Sequence, residues 1–269
     1  MTSASKSPVS VFFEKAAERA RNLAEEAGAA TEPLRFTAGL YRVQGEVAGR
    51  IQALHAAQPM SGKLESDATR LVEPLRAVHR FAAEAAPPTL AAAARSRLEE
   101  PADVAVARLT VYWNGSRDER EDFLSRAALR PYLEVLVRNK VPVDRPKGGR
   151  ACPHCGGQPW VAARRSLPST HGAQRLLFCA LCGSEWVVNR ILCPACGEEN
   201  PDHLPSFSAD RYPTARIEAC ETCHRYVKSI DLTVDGRAIP EVDDLVSVGL
   251  DLWAAEQGFA RIEPGLAGV

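Results

Sequence analysis

Apolar residues recur at helical spacing through the first half of the chain. Positions three or four residues apart share one face of a helix, while the polar residues between them face solvent. The recurring residues are Phe12, Ala16, Ala20, Leu23 and Ala27, then Leu40, Val43, Val47, Ile51 and Leu54, then Leu64, Ala68, Leu71, Leu75, Val78 and Ala82. We predict a helical domain over residues 1–148, in which His55 and His79 are surface or packed residues rather than ligands.

Prolines and a capping signal divide this predicted domain into separate helices. Pro74 and Pro131 should each kink or restart a helix, because proline lacks the N–H group that a helix interior uses. Ser116 followed by Glu119 has the spacing of a capping box, which predicts that a helix begins there. The domain is therefore expected to be a bundle whose role is shape.

Two segments beyond residue 140 also carry recognisable patterns. Residues 141–150 contain two prolines, two glycines and four charged residues, a composition typical of a linker. A C-terminal helix that packs on the domain is predicted over residues 240–262. Asp243 and Asp244 suit the positive N-terminal end of that helix, and Gly258 suits its C-cap.

All eight cysteines of the 269-residue chain lie between Cys152 and Cys223. They form four Cys-x-x-Cys pairs, and adding 41 to the residue numbers of the first two pairs gives the last two pairs. This stretch is therefore a tandem repeat, which we divide into modules over residues 149–190 and 191–235.

Each module carries the ligands of one tetrahedral all-thiolate site. Two cysteines three positions apart in a tight turn can present both sulfurs to one ion, and four such sulfurs suit zinc or a single rubredoxin-type iron. Gly156, Gly183 and Gly197 follow three of the pairs and permit the positive φ that such turns use. Duplication favours ligation within a module, although a cross-braced pairing stays open. The predicted ligands are Cys152, Cys155, Cys179 and Cys182 in site 1, and Cys193, Cys196, Cys220 and Cys223 in site 2.

The predicted fold class is α+β. It comprises the N-terminal helical bundle, two tandem rubredoxin-like or zinc-ribbon modules and the C-terminal helix. The runs QRLLFC and EWVVNRIL are typical of strands, and Trp160 and Trp186 are expected to pack on them. Each module is too small for a core of its own, so the bound ion should contribute much of its folding energy.

Charge and motif content weigh against the other functions of cysteine-rich modules. The net charge is −1, and residues 151–240 carry nine Lys and Arg against nine Asp and Glu. A nucleic-acid-binding zinc ribbon needs clustered positive charge, whereas Arg164 and Arg165 form the only basic doublet and are expected to be solvated. The CPHC sequence at Cys152 resembles a dithiol active site, but no βαβ pattern surrounds it. Nucleic-acid binding and a thiol or iron redox function remain as alternatives.

No segment resembles a signal peptide or approaches the roughly 20 apolar residues of a membrane span. We expect a cytoplasmic protein without membrane insertion. In that compartment thiols stay reduced, so metal binding is expected in place of disulfides.

The cysteine motifs CPHCG, FCALCGSEW, ILCPACG and ACETCHRYVK, followed by VDDLVSVGLDLWAAEQGFAR, resemble the formate dehydrogenase accessory protein (FdhE) family over roughly residues 150–262. The resemblance implies a non-enzymatic assembly factor. Its partner would be the catalytic subunit of respiratory formate dehydrogenase before export. It also implies two mononuclear metal ions per chain, with rubredoxin-type iron favoured and zinc possible. His224 departs from the small residue expected after the last pair.

Overall fold

The computed structural model describes residues 8–26, 28–115, 122–145, 147–167 and 172–268. The chain divides into two compact units. The helical unit comprises Met1–Arg21 and Arg35–Pro146, and the ribbon unit comprises Asn22–Leu34 and Lys147–Val269. The boundary between Pro146 and Lys147 falls within the predicted linker. No pattern in the sequence predicts that residues 22–34 belong to the ribbon unit.

Helices make up the described part of the first half, which agrees with the predicted fold class. They are α1 (Pro8–Ala24), α2 (Thr31–Ala57), α3 (Leu64–Ala85), α4 (Pro88–Glu99), α5 (Ala102–Asn114) and α6 (Phe123–Arg138). A short 3-10 turn, Gly28–Ala30, separates α1 from α2.

Neither helix restarts at its proline, whereas the alternative outcome, a kink, stays a prediction. Pro74 lies inside α3 and Pro131 inside α6, and both helices continue across them. A proline in a helix interior costs about 3 kcal/mol. In α6 every residue from Leu124 to Leu136 is buried, so packing on all sides outweighs that cost.

The predicted capping box is not what begins α6. Ser116 and Glu119 lie outside the described residues, and α6 begins at Phe123 with Asp122 as its N-cap. The Asp122 carboxylate accepts a hydrogen bond from the backbone N–H of Ser125 at 3.1 Å. An aspartate at this position satisfies one of the unpaired N–H groups of the first turn.

His79 is a packed residue of the helical unit, with 8% of its surface exposed. Burial, with a smaller contribution from Arg97, lowers the pKa of His79 to about 4. The unfolded chain takes up this proton below about pH 6.5, whereas the folded chain does so only near pH 4. Acid therefore favours the unfolded state across this window.

We expect the helical unit to lose up to about 3 kcal/mol of stability as pH falls from 6.5 to 4. Above pH 6.5, His79 is neutral in both the folded and the unfolded chain, and this loss does not occur. Urea unfolding followed by helical circular dichroism at several pH values measures this slope. His79→Gln should flatten the slope, because glutamine cannot take up a proton in this pH range. An unchanged slope in His79→Gln would contradict the assignment.

The ribbon unit contains one seven-stranded sheet. Its strands are β1 (Pro159–Ser166), β2 (Ala173–Cys179), β3 (Glu185–Val188), β4 (Ser206–Ser208), β5 (Ala215–Cys220), β6 (Arg225–Asp231) and β7 (Ala260–Arg261). The order is β3-β2-β1-β6-β5-β4, and β7 pairs with β6. Strands β2 and β5 occupy equivalent places in the 41-residue repeat, as do β3 and β6.

The two modules share this sheet and its core. Strands pair antiparallel within each module, and a parallel pairing of β1 with β6, from Val161↔Lys228 to Arg164↔Asp231, joins one module to the other. A single apolar cluster contains residues of both modules, among them Trp160 and Ile217. Neither module has a core of its own, as its size predicts, because each uses the strands of the other.

The C-terminal helix is shorter than the predicted span of 240–262. It consists of α7 (Pro240–Asp243), a 3-10 turn (Asp244–Ser247) and α8 (Val248–Glu256), after which β7 joins the sheet. Gly258 ends α8 as predicted, with φ of 82°, and the N–H of Phe259 donates to the carbonyl of Ala254 at 2.9 Å. Among the described residues, no helix combines the length and apolar character that crossing a bilayer requires.

Candidate metal centres

The first centre consists of the four cysteines of the first module. The Sγ atoms of Cys152, Cys155, Cys179 and Cys182 lie within 4.8 Å of one another, and all four residues are buried. The Sγ atoms of Cys152 and Cys182 are 3.6 Å apart, and those of Cys155 and Cys179 are 3.4 Å apart. A tetrahedral ion with metal–sulfur bonds of about 2.3 Å places its sulfurs about 3.8 Å apart. The group therefore fits one mononuclear ion.

Glycines shape both turns of the first centre. Gly156 and Gly183 have φ of 71° and 69°, and their N–H groups donate to the carbonyls of Cys152 and Cys179. Gly157 has a separate role that sequence reasoning missed. A Cβ atom on Gly157 would lie 2.7 Å from the Cys179 Sγ, so this position admits no side chain without displacing a sulfur.

The second centre consists of the four cysteines of the second module. The Sγ atoms of Cys193, Cys196, Cys220 and Cys223 also lie within 4.8 Å of one another. The Cys193–Cys223 and Cys196–Cys220 sulfur separations are 3.7 and 3.6 Å. Each group draws its cysteines from one module, so the cross-braced arrangement is not the one that the structure contains.

The two centres differ in their exposure to solvent. All four cysteines of the first centre are buried, whereas Cys196 of the second centre is exposed and Cys223 is half-buried. An ion held in the second centre would therefore be open to solvent, chelators and partner groups on one side. The repeat in the sequence does not reveal this asymmetry.

The pKa values of the thiols shift in both directions within each group. Although burial opposes the shift, hydrogen bonds lower the pKa of Cys196. Burial raises the pKa of the Cys179 thiol well above its usual value. Burial also raises the pKa of Cys193 and of Cys223. Four clustered thiolates are costly without a compensating positive charge, and a metal ion supplies that charge while displacing the thiol protons.

Glu198 braces the second centre and has no counterpart in the first. Its carboxylate accepts hydrogen bonds from the Thr222 hydroxyl at 2.5 Å and from the N–H of Asn200 at 2.9 Å. These bonds, with Thr222 contributing most, lower the pKa of Glu198 to about 2. The residue 41 positions earlier is Gly157. The two copies of the repeat therefore differ at this position, and that difference could have indicated from the sequence that Gly157 and Glu198 each have a specific role.

His224 occupies the left-handed position that glycine occupies after the other three pairs. Its φ is 53°. Its carbonyl accepts a hydrogen bond from the N–H of Ala260 at 2.8 Å, and its ring centroid lies 6.2 Å from that of Phe259. These contacts attach the β7 segment to the start of β6. The left-handed backbone conformation of His224 itself costs about 1–2 kcal/mol, because the residue carries a side chain.

The basic doublet of the ribbon unit is paired with carboxylates. Arg164 lies 3.1 Å from Asp231, and Arg165 makes a bidentate contact with Glu185 at 2.6 and 2.8 Å. Both side chains remain partly exposed, as expected, but their charge is matched. A phosphate backbone would have to compete with these carboxylates, which weakens the nucleic-acid alternative.

A buried ionic network lies beneath the sheet, and sequence reasoning missed it. Lys228 is fully buried and pairs with both Asp244 and Asp251. Arg261 contacts the same two carboxylates at 2.7 and 3.1 Å, and the Tyr226 hydroxyl donates to Asp251 at 2.9 Å. Although burial acts in the opposite direction, Arg261 and Lys228 hold the pKa of Asp244 below its usual range.

This network changes the role predicted for Asp244. Its carboxylate binds two cations rather than only favouring a helix N-terminus, whereas Asp243 accepts a hydrogen bond from the N–H of Ile239 at 2.8 Å, as suits its predicted role. The Lys228 ammonium also donates to the carbonyl of Asp244 at 2.8 Å, where the helix gives way to a 3-10 turn. The sequence signal was a charge inside two apolar runs, at Lys228 in YVKSI and at Asp251 in GLDLW.

Comparison with known proteins agrees with this architecture. A sequence profile of the family described as "FdhE, C-terminal domain" matches residues 191–266. A protein FdhE homolog of Aquifex aeolicus is 35% identical over 156 residues, which cover 58% of this chain and 54% of that protein. Protein FdhE of Escherichia coli K12 is 28% identical over 170 residues, which cover 62% and 54%. The matched part of the chain thus spans about half the length of these relatives.

A solved structure extends the likeness to nearly the whole chain. The crystal structure of the FdhE protein from Pseudomonas aeruginosa superposes with a TM-score of 0.68 at 25% sequence identity. The superposition covers 97% of this chain and 96% of that one. The helical half, in which the sequence signal is weak, is therefore similar in fold to that protein as well.

Proposed function

We propose that this chain, whose motifs and fold are similar to those of the FdhE family, is an accessory factor that makes respiratory formate dehydrogenase active by binding its catalytic subunit in the cytoplasm before export. The observation that carries the proposal is the pair of four-cysteine centres on one sheet, together with the likeness of nearly the whole chain to an FdhE structure. The link to formate dehydrogenase comes from the family that the cysteine motifs resemble.

We further propose that the eight cysteines hold two mononuclear ions, one in each centre. Four thiolates in a tetrahedral arrangement suit either rubredoxin-type iron or zinc, and the family resemblance favours iron. When bound, the ion would fix the turns of the ribbon unit and could carry one electron if it is iron.

The proposed role is not enzymatic. Four cysteine sulfurs saturate a tetrahedral ion and leave no open position for a reacting water or substrate. An accessory factor must offer a surface that binds its partner polypeptide. The predicted helical domain (1–148) and the ribbon modules would supply that surface.

A redox role is a second candidate, and the exposure of Cys196 favours it. An iron ion with one ligand at the surface could exchange electrons with a partner at the second centre, whereas the first centre is enclosed. In this case, iron-loaded protein should show thiolate-to-iron absorption that bleaches on reduction and returns on oxidation. Zinc alone in natively purified protein would remove this candidate and leave the accessory role intact.

Deleting the gene should abolish respiratory formate oxidation while the catalytic polypeptide is still made, because the proposed factor acts after synthesis. Formate oxidation and immunoblotting of the catalytic subunit measure the two effects. The wild-type gene should restore activity, and Cys193→Ser with Cys196→Ser should not. Arg237→Gln, which removes a charge from a side chain that is 87% exposed, serves as a control and should restore activity. Normal activity in a deletion strain without a second copy would refute the proposal.

A further inference from the structure

An arginine-lined cavity of about 280 Å³ lies beside the second centre within the ribbon unit. Its charged lining consists of Arg175, Arg190, Arg216, Arg225 and the single carboxylate Glu218. Four guanidinium groups against one carboxylate leave a net charge of +3. Such a concentration of one charge in a concave site attracts a ligand of the opposite charge.

Two of the arginines are engaged by the one carboxylate. Arg175 Nε donates to Glu218 at 2.8 Å, and Arg216 Nη2 donates to the other oxygen of Glu218, also at 2.8 Å. Arg175 is buried and also donates to the carbonyl of Leu192 at 2.8 Å. These contacts fix one wall of the cavity and engage the only carboxylate in its lining.

The other two arginines have no carboxylate partner among the residues that the structure describes. Arg190 donates to the carbonyl of Ala173 at 2.8 Å, which orients its guanidinium without neutralising it. Arg225, the first residue of β6, is half-buried at the cavity wall. Arg190 is exposed, and both guanidinium groups add positive charge to the cavity wall that no described carboxylate offsets, which favours an anion there.

The remaining lining indicates which kind of anion fits. Apolar side chains form much of the rest, namely Leu192, Pro194, Leu204, Pro205 and Ile262. An inorganic anion has no carbon skeleton to pack against such groups, whereas an organic carboxylate does. The planar guanidinium also matches a carboxylate with two parallel hydrogen bonds.

We propose that this cavity binds an organic carboxylate beside the second metal centre. The carboxylate comes either from acidic side chains of a polypeptide or from a free polycarboxylate, and both share the same recognition chemistry. The proposal stands independently of the role in formate dehydrogenase maturation, since it rests only on the cavity and its charges.

A rival explanation is that the arginines serve the metal centre. A divalent ion with four thiolates carries a net charge of −2, and Cys193 and Cys220 line the same cavity. In that case the arginines would compensate this charge, and their loss would weaken metal retention without any carboxylate being bound. Metal content is therefore measured alongside binding.

Isothermal titration of the full-length, metal-loaded protein tests the proposal with two probes, citrate and a five-residue peptide of alternating glutamate and leucine. We expect saturable binding of at least one probe with one site per chain. Arg190→Gln and Arg225→Gln should each raise Kd about tenfold or more, because each removes a charged hydrogen bond. Arg225→Lys should recover part of the loss, and the exposed Arg237→Gln should leave Kd unchanged.

Tighter binding of the peptide identifies a polypeptide as the source of the carboxylate, and tighter binding of citrate identifies a free carboxylate. Absence of binding by either probe overturns the proposal. Binding that Arg190→Gln and Arg225→Gln leave unchanged also overturns it, because the ligand then lies elsewhere. Metal loss in these variants without carboxylate binding to the wild type supports the rival explanation and overturns the proposal as well.

Discussion

Replacing Cys152 and Cys155 by serine should unfold the whole ribbon unit and leave the helical unit largely folded. A structural zinc site contributes about 10–16 kcal/mol, which is as large as the roughly 5–15 kcal/mol total stability of a typical domain. From the repeat alone, only the first module would be expected to unfold. Since both modules share one sheet and one apolar cluster, the second module should lose its support too.

Limited digestion with proteinase K, which cleaves without requiring a basic residue, followed by mass spectrometry measures this effect. In the variant, cleavage should begin just beyond the linker at Arg150 and also within residues 22–34, because that segment belongs to the ribbon unit. A chelator should produce the same fragments from the wild-type protein and add no new fragments in the variant. Val234→Ser, which changes an exposed loop residue of the same unit, is the control. Protease resistance of the variant equal to that of the metal-loaded wild type would show that metal does not hold the unit together.

Replacing Lys228 by methionine should destabilise the ribbon unit by about 3–5 kcal/mol. Removing one partner of a buried ion pair leaves an uncompensated charge in a low-dielectric interior. Without Lys228, the Asp244 and Asp251 carboxylates would depend on Arg261 alone. Urea unfolding of the metal-loaded protein, followed through the fluorescence of its tryptophans, measures the change.

The matched control is the pair Arg164–Asp231, which also involves strand β6 but is partly exposed. Arg164→Met should cost less than about 1 kcal/mol, because water screens an exposed pair. Combining Lys228→Met with Asp251→Asn should cost less than the sum of the single substitutions, because removing both charges leaves fewer groups unpaired. A loss in Lys228→Met no greater than that in Arg164→Met would contradict the role of the buried network.

Local spacing was sufficient to predict several of the helices and the strands β2 and β3. The helices follow from apolar residues that recur at the period of one turn, and Gly258 ends the last helix because its φ of 82° suits glycine. The division of the cysteines into two groups also follows from spacing. Two cysteines separated by two residues must lie in one turn, and the 41-residue repeat assigns each pair of turns to one module.

Spacing failed wherever distant parts of the chain compete with a local preference. Pro131 did not restart α6, since the burial of the surrounding residues outweighs the lost hydrogen bond, and α3 likewise continues across Pro74. The last helix is interrupted at Asp244, where the Lys228 ammonium binds the backbone carbonyl. Neither outcome is encoded within a window of ten residues.

The sequence by itself determined the helical first half, the tandem cysteine repeat and the family to which the motifs point, because each is a pattern of neighbours along the chain. Only the tertiary structure decided that β1 and β6 join the modules into one sheet and that the second centre is open to solvent. It alone brought Arg190 and Arg225 to one cavity. The physical reason is that burial and charge pairing depend on groups that meet only when strands from both repeats lie side by side.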